Sequence, residues 1–294
     1  MQTIKNDYFT ADINEHGAQL THLINRSEHF DYIWNNDLWP KHAPILFPAI
    51  GRSNDDAYLV AGQKYEMPQH GFAGDADFEV VDKTTDQVSL LLVANEATKA
   101  YYPFAFKLRV TFSLSETGLV VHFDVKNDGV EDLSYSLGYH PAFNVPINGE
   151  GAFDDYRLAI QPVNHQLETY EIVKKPNPYR SGNIEVLPNY ANGVVKLDHQ
   201  MFEKGLLIIK STGIKSVKLY SETDTSHSVT VDVSDFDHVT LWTKEGANAP
   251  FLCIEPFNGL PDVYGDLVEL GDKEGNHHTS AGLTSSYSVK VDLK

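Results

Sequence analysis

The sequence predicts an all-β protein, built as a large antiparallel β-sandwich. Three observations lead there. Long segments alternate apolar and polar residues with a period of two. Gly, Pro, Asn and Asp recur between these segments at short intervals. Helical periodicity is nearly absent, and Asn95–Tyr101 is the one short helix expected. Many short strands separated by turn residues fit a sandwich or barrel rather than an α/β fold.

In chain order, the first strands are expected at Tyr8–Ile13 and Ala18–Ile24, then at Phe78–Val81 and Val88–Val93. The clearest signal follows the short helix. In Phe106–Leu114 the residues Phe106, Leu108, Val110, Phe112 and Leu114 share one face, and Lys107, Arg109, Thr111 and Ser113 the other. Leu119, Val121, Phe123 and Val125 repeat the pattern in Leu119–Lys126. The link Ser115–Gly118 is a turn ending in glycine, so the pair reads as a hairpin with one buried face. Further strands are expected at Leu133–Tyr139, Tyr156–Ile160, Leu206–Lys210, Val217–Tyr220, Val229–Val233, Val239–Trp242 and Phe251–Ile254. In the last segment Tyr287, Val289, Val291 and Leu293 alternate with Ser288, Lys290, Asp292 and Lys294. No linker, low-complexity tract or internal repeat interrupts the chain, so residues 1–294 read as one domain. Three long loops remain, Trp34–His70, Pro141–Asp155 and Val173–Asn192. Long loops on a rigid sheet are where sites are built.

Composition narrows the function. With 23 basic against 41 acidic residues the net charge is −18, which opposes nucleic acid and anionic membrane surfaces. The single cysteine, Cys253, excludes an internal disulfide and fits a reducing compartment. The segment Met1–His16 is polar and mixed in charge, unlike a secretory leader. The longest apolar runs, Ala43–Ile50 and Leu90–Ala94, fall far short of the ~20 residues that span a bilayer. The expectation is a cytoplasmic protein with a small neutral or cationic partner, no nucleic acid and no membrane; oligomeric state is not legible.

Several chemistries have no motif here. G-x-S-x-G and the P-loop are absent, and Gly149-Glu150-Gly151 lacks the third glycine of a dinucleotide fingerprint. No H-E-x-x-H occurs, and the adjacent pair His277-His278 is poorly spaced for one metal. No metal site and no cofactor are expected.

Four polar residues stand in unusual settings. His140 ends a strand that keeps Ser134, Ser136 and Gly138 on its own face, leaving room for a ligand; an exposed strand-end histidine is the other reading. Glu255 closes the strand Phe251–Ile254, between Ile254 and Pro256 and on the face of Phe251 and Cys253. Desolvation there would raise its pKa, unless it is simply paired to a lysine or to backbone amides. His70, in Pro68-Gln69-His70-Gly71, and Arg52, beside Gly51, sit in loops next to glycine. Either could instead brace loop carbonyls.

Together the segments carrying these residues resemble a known family. Ala43-Pro44-Ile45-Leu46-Phe47-Pro48-Ala49-Ile50-Gly51-Arg52, His70-Gly71-Phe72-Ala73, Gly138-Tyr139-His140-Pro141-Ala142-Phe143 and Cys253-Ile254-Glu255-Pro256-Phe257 occur in the order found in the aldose 1-epimerases, or galactose mutarotases, and in particular their LacX-like branch. The resemblance runs over most of the chain. It implies the galactose mutarotase-like supersandwich with a monosaccharide in an open cleft. It also implies Glu255 as general base, His140 as general acid, His70 as a second catalytic histidine at the sugar and Arg52 as a substrate-binding arginine. Trp242, in Leu241-Trp242-Thr243, reads as a sugar-facing aromatic or as core. Two departures bear on substrate choice. Gly74 stands where related sequences often have arginine, and Gly205 where family sites usually have a sugar-holding aspartate, with Asp198 nearby.

The resulting expectation is an isomerase that interconverts the α and β anomers of a free aldose. A hexose-6-phosphate 1-epimerase and a non-catalytic carbohydrate-binding or regulatory protein are the alternatives. Phosphate is usually read by clustered Arg or Lys. Only five arginines occur, Arg26, Arg52, Arg109, Arg157 and Arg180, and Arg52 alone lies in a site motif. Lysines Lys41, Lys64, Lys174 and Lys175 lie in the long loops. Neutral aldoses such as galactose or glucose are therefore expected over their 6-phosphates.

Overall fold

A computed structural model describes residues 1–149, 151–174, 178–210 and 213–294. Two antiparallel sheets carry the architecture. The larger has ten strands and contains the expected hairpin, Phe106–Ser115 with Gly118–Asn127. Register runs Leu119↔Leu114, Val121↔Phe112, Phe123↔Val110 and Val125↔Leu108. Thr284–Leu293 adds to one side of the hairpin and Gln87–Val93 to the other. The second sheet has eight strands. At its centre lies Phe251–Asn258, flanked by His238–Trp242 on one side and by both Leu137–Tyr139 and Ala142–Asn144 on the other.

The main core fills the space between the sheets. Leu108, Val110, Phe112 and Val121 from the larger sheet join one cluster with Leu241, Leu252 and Ile254 from the smaller. The alternate residues of the smaller sheet face away from that core. Phe251, Cys253 and Ala142 form one outer cluster, and Leu46, Ile208 and Phe257 another. This outer face carries the site.

Several expected boundaries move. The strand beginning at Phe251 does not stop at Ile254; it continues to Asn258, and all eight of its residues are buried. Glu255 is thus in mid-strand. Pro256 is tolerated because of where its missing N–H falls. Ile254 N–H reaches Pro141 O, so with period two Pro256 faces the same side. The partner there is interrupted between Tyr139 and Ala142. Leu133–Tyr139 divides at Ser136, whose N–H donates to Pro48 O. Its first half pairs with His277–Thr279 and its second with Phe251–Asn258.

The long loops contain strands. Ile45–Leu46 and the hairpin Ala57–Val60 with Gln63–Glu66 lie in the first, and Ala142–Asn144 in the second. The third holds the strand Tyr179–Val186, paired with Glu168–Val173 at a sheet edge. Pro176 and Lys175 of that segment lie outside the described residues. The short helix forms over Glu96–Tyr101, capped by Asn95 Oδ1, which accepts from Ala97 N and Thr98 N at 2.9 and 3.1 Å. No helix among the described residues is long and apolar enough to cross a membrane.

Candidate active site

A cleft of about 660 Å³ opens on the outer face of the eight-stranded sheet. His70, His140, Trp242 and Glu255 all line it. Glu255 is placed by the central strand. His140 follows Leu137–Tyr139, and its backbone N–H donates to Pro44 O at 3.1 Å. The register holds across His140-Pro141, from Gly138↔Phe257 to Ala142↔Cys253, and so sets His140 opposite Glu255 on the central strand. His140 Nε2 lies 3.4 Å from Glu255 Oε1. Both side chains are almost wholly buried, at 9% and 4% exposure.

Burial sets the electrostatics. Desolvation pushes the Glu255 carboxyl well above the usual carboxylate range and pulls His140 well below its ordinary value. Each group alone resists charge. Both shifts favour the uncharged pair, carboxyl beside neutral imidazole, and carboxylate with imidazolium differs from it only by an internal proton transfer. Neither arrangement changes the net charge of the site.

His70 approaches from the loop side, its ring 5.9 Å from that of His140. It sits at φ +66°, in the left-handed region. A reciprocal contact holds it there: His70 N–H donates to Gly51 O at 2.8 Å, and Gly51 N–H donates to His70 Nδ1 at 3.1 Å. Nδ1 is therefore the acceptor, and the neutral ring carries its proton on Nε2. Burial, then the charges of Lys41 and Arg52, lower its pKa to about 4. Glycine at 71 is required for this approach. Its φ is +77°, and a Cβ there would lie 2.2 Å from Phe47 O.

Arg52 is placed differently. Its Nη1 pairs with Asp56 Oδ1 at 2.6 Å, and it is not among the residues lining the cleft. Its charge is felt at His70. Asp198 caps the turn His199–Phe202, accepting from Gln200 N at 2.8 Å, and is also away from the cleft. Gly74 and Gly205 do line it.

Trp39 is a lining residue that the pattern analysis passed over. Its ring stacks on His140 with centroids 5.2 Å apart and meets Trp242 at 5.3 Å. Trp34 Nε1–H donates to Trp39 O, and Lys244 Nζ donates to Leu38 O, which fixes the loop. A tryptophan beside Pro40 in a long loop was the available signal, but nothing periodic gave it a face. The mouth carries Lys41, Lys174 and Lys204 with Asp75 and Glu245. Lys41 pairs with Asp75 at 3.1 Å, Lys204 with Glu185 at 2.7 Å, and Lys174 donates to Glu203 O. Lys64 is not in the lining, and Lys175 lies outside the described residues.

Two stacked antiparallel sheets with an aromatic-walled polar cleft on the outer face define a β-sandwich of the galactose mutarotase-like class. The chain belongs to the aldose 1-epimerase family, whose profile matches residues 1–274. Among solved structures, a galactose mutarotase-like protein from Lactobacillus casei is 40% identical, with a TM-score of 0.94 and 100% of each chain covered. A galactose mutarotase related enzyme from Lactobacillus acidophilus is 28% identical, with a TM-score of 0.91, over 100% of this chain and 97% of that one. The plasmid-borne protein LacX of Lactococcus lactis is 28% identical over 280 residues, 92% of this chain and 91% of its own.

Proposed function

We propose that the protein is an aldose 1-epimerase acting on free aldoses, with Glu255 as base and His140 as acid. The observation that carries this reading is the His140–Glu255 contact of 3.4 Å, buried at the floor of an open cleft. Opening a cyclic aldose requires the anomeric hydroxyl to lose a proton and the ring oxygen to gain one. The two oxygens are bonded to one carbon, so one base and one acid in contact can serve both. In the working state Glu255 is carboxylate and His140 imidazolium, one proton transfer from the neutral pair. After ring opening, rotation about the C1–C2 bond presents the other carbonyl face, and the roles reverse on closure. His70 offers its Nε2–H to a sugar oxygen as a neutral donor. Trp39 and Trp242 supply apolar walls for the sugar's C–H faces. A purely binding protein has no need of the acid–base pair.

Neutral aldoses such as galactose or glucose fit the mouth better than 6-phosphates. No arginine lines the cleft among the described residues, and its three lysines are each already engaged. Those lysines are also what a phosphorylated sugar would use, which keeps hexose-6-phosphate as the second reading. The test is anomer equilibration, followed by polarimetry or proton NMR, on freshly dissolved sugars and their 6-phosphates. A larger kcat/KM for the neutral sugar is expected. A clear advantage for the phosphate would install the second reading, and no acceleration with any sugar would end the proposal.

A further inference from the structure

One buried polar group beside the pair is left unused by this mechanism. Thr240 lies on His238–Trp242 directly opposite Glu255 in the strand register. Directly opposed residues share a face, with Cβ atoms about 4.5–5.5 Å apart. Thr240 is fully buried, and its Oγ1 has no hydrogen-bond partner. Its other cross-strand neighbour is Ile208, in the apolar patch with Leu46 and Phe257. A buried hydroxyl without a partner costs stability. Valine has the same branched shape and an equal preference for strands. Packing alone would therefore favour valine, and the hydroxyl calls for an acceptor. Glu255 is the acceptor opposite. Among the described residues His140 is its one ionic or hydrogen-bonding partner, whereas a carboxylate accepts at about four sites.

We infer that Thr240 is a positioning residue for Glu255, its hydroxyl, unpartnered in this structure, turning to donate to the carboxylate from the neighbouring strand. This rests on the reading of Glu255 as the base. The donation orients the carboxylate toward the cleft and favours its ionised form. The other titratable groups around Glu255 are His140 after Leu137–Tyr139, His70 and Lys41 from the loops, Cys253 on its own strand and His238 beside Thr240. The continued register sets His140 opposite Glu255 on one side, and Thr240 stands opposite it on the other. Serine can replace threonine in this role; valine and alanine cannot.

The test compares Thr240→Val and Thr240→Ser in the full chain, with Thr240→Ala as the substitute should valine fail to fold. Removing a hydrogen bond to a charged group lowers kcat about 10–100-fold at neutral pH. Thr240→Val should also move the acidic limb of kcat/KM up by about one pH unit. Thr240→Ser should stay within a few-fold of the parent. An independent readout is infrared titration of the Glu255 carboxyl in the sugar-free protein, with Glu255→Gln as blank. Thr240→Val should raise the pH at which that carboxyl ionises. An unmoved titration with an unmoved pH limb overturns the inference. So does a downward shift, which would mean that the hydroxyl accepts from the protonated acid. Should no sugar be epimerised while the infrared titration moves as stated, the proposed reaction fails and the Thr240 contact stands.

Discussion

Two of the described histidine–carboxylate pairs, one on each large sheet, have nearly equal spacing. On the ten-stranded sheet His122 Nε2 lies 3.1 Å from Asp124 Oδ1, with side chains 41% and 32% exposed. On the eight-stranded sheet His140 Nε2 lies 3.4 Å from Glu255 Oε1, at 9% and 4%. Proximity is therefore not what separates them. The hairpin Phe106–Asn127 buries one face and leaves the other beside water, so His122 and Asp124 keep much of their hydration. The strand Phe251–Asn258 is covered on both faces, by the main core on one and by the cleft aromatics on the other. There the protein must supply what water no longer does, and burial pushes both groups toward their uncharged forms.

Substitutions test that contrast directly. The largest effect is expected from Glu255→Gln and His140→Asn. Each should slow anomer equilibration by at least ~10²-fold in a folded protein, whereas His122→Asn and Asp124→Asn should leave the rate unchanged. Equal losses from both pairs would dissolve the distinction. His70→Ala should come next, raising KM and lowering kcat by about tenfold, since it removes an oriented donor and leaves the pair in place. Wild-type kinetics would make His70 a loop brace.

Stability against pH gives a third measurement with a definite sign. Glu255 titrates above its ordinary value in the folded protein. Below the ordinary carboxylate range both folded and unfolded chains hold the proton, and its burial is harmless. As pH rises past that range the unfolded chain releases the proton first and the fold loses stability. Glu255→Gln should raise Tm near neutral pH and have little effect in strong acid. His70 has the opposite sign. Its pKa falls from 6.5 to about 4 on folding, so its stabilising share is complete above 6.5 and is lost as pH falls through 4. His70→Gln should flatten that part of the curve, as read by Tm in a series of buffers. The smallest effect is expected from Arg52→Ala. Its tie to Asp56 keeps it off the cleft lining, so a change of a few-fold in KM is the limit. A loss as large as that of His70→Ala would show that Arg52 swings into the cleft when sugar binds.

Alternation was readable wherever one face meets water. The hairpin Phe106–Asn127 matches its expected pattern residue by residue, as does Thr284–Leu293. It failed where strands are polar on both faces or buried on both. Tyr179–Val186, with Ser181, Asn183 and Glu185, reads as loop because it is an edge strand with water at its border. Phe251–Asn258 reads as ending early because Glu255 and Pro256 look like a terminus, although the interruption that accommodates them belongs to a segment more than a hundred residues away. Trp39 was illegible for a related reason. Its place is set by the Trp34 and Lys244 hydrogen bonds, and neither has a periodic signature.

The identity of most strands, the faces of the hairpin and the four motifs that mark the family were already present in the order of residues. These follow from local rules, since side chains alternate along any strand and Gly, Pro and Asn punctuate any chain. The contact between His140 and Glu255, the turning of Arg52 toward Asp56, and the placing of Thr240 opposite Glu255 came only with the fold. Register and desolvation are sums over neighbours contributed by distant segments. The burial of His140 and Glu255 therefore depends on how two sheets and the loops over them exclude water, which no single stretch of sequence specifies.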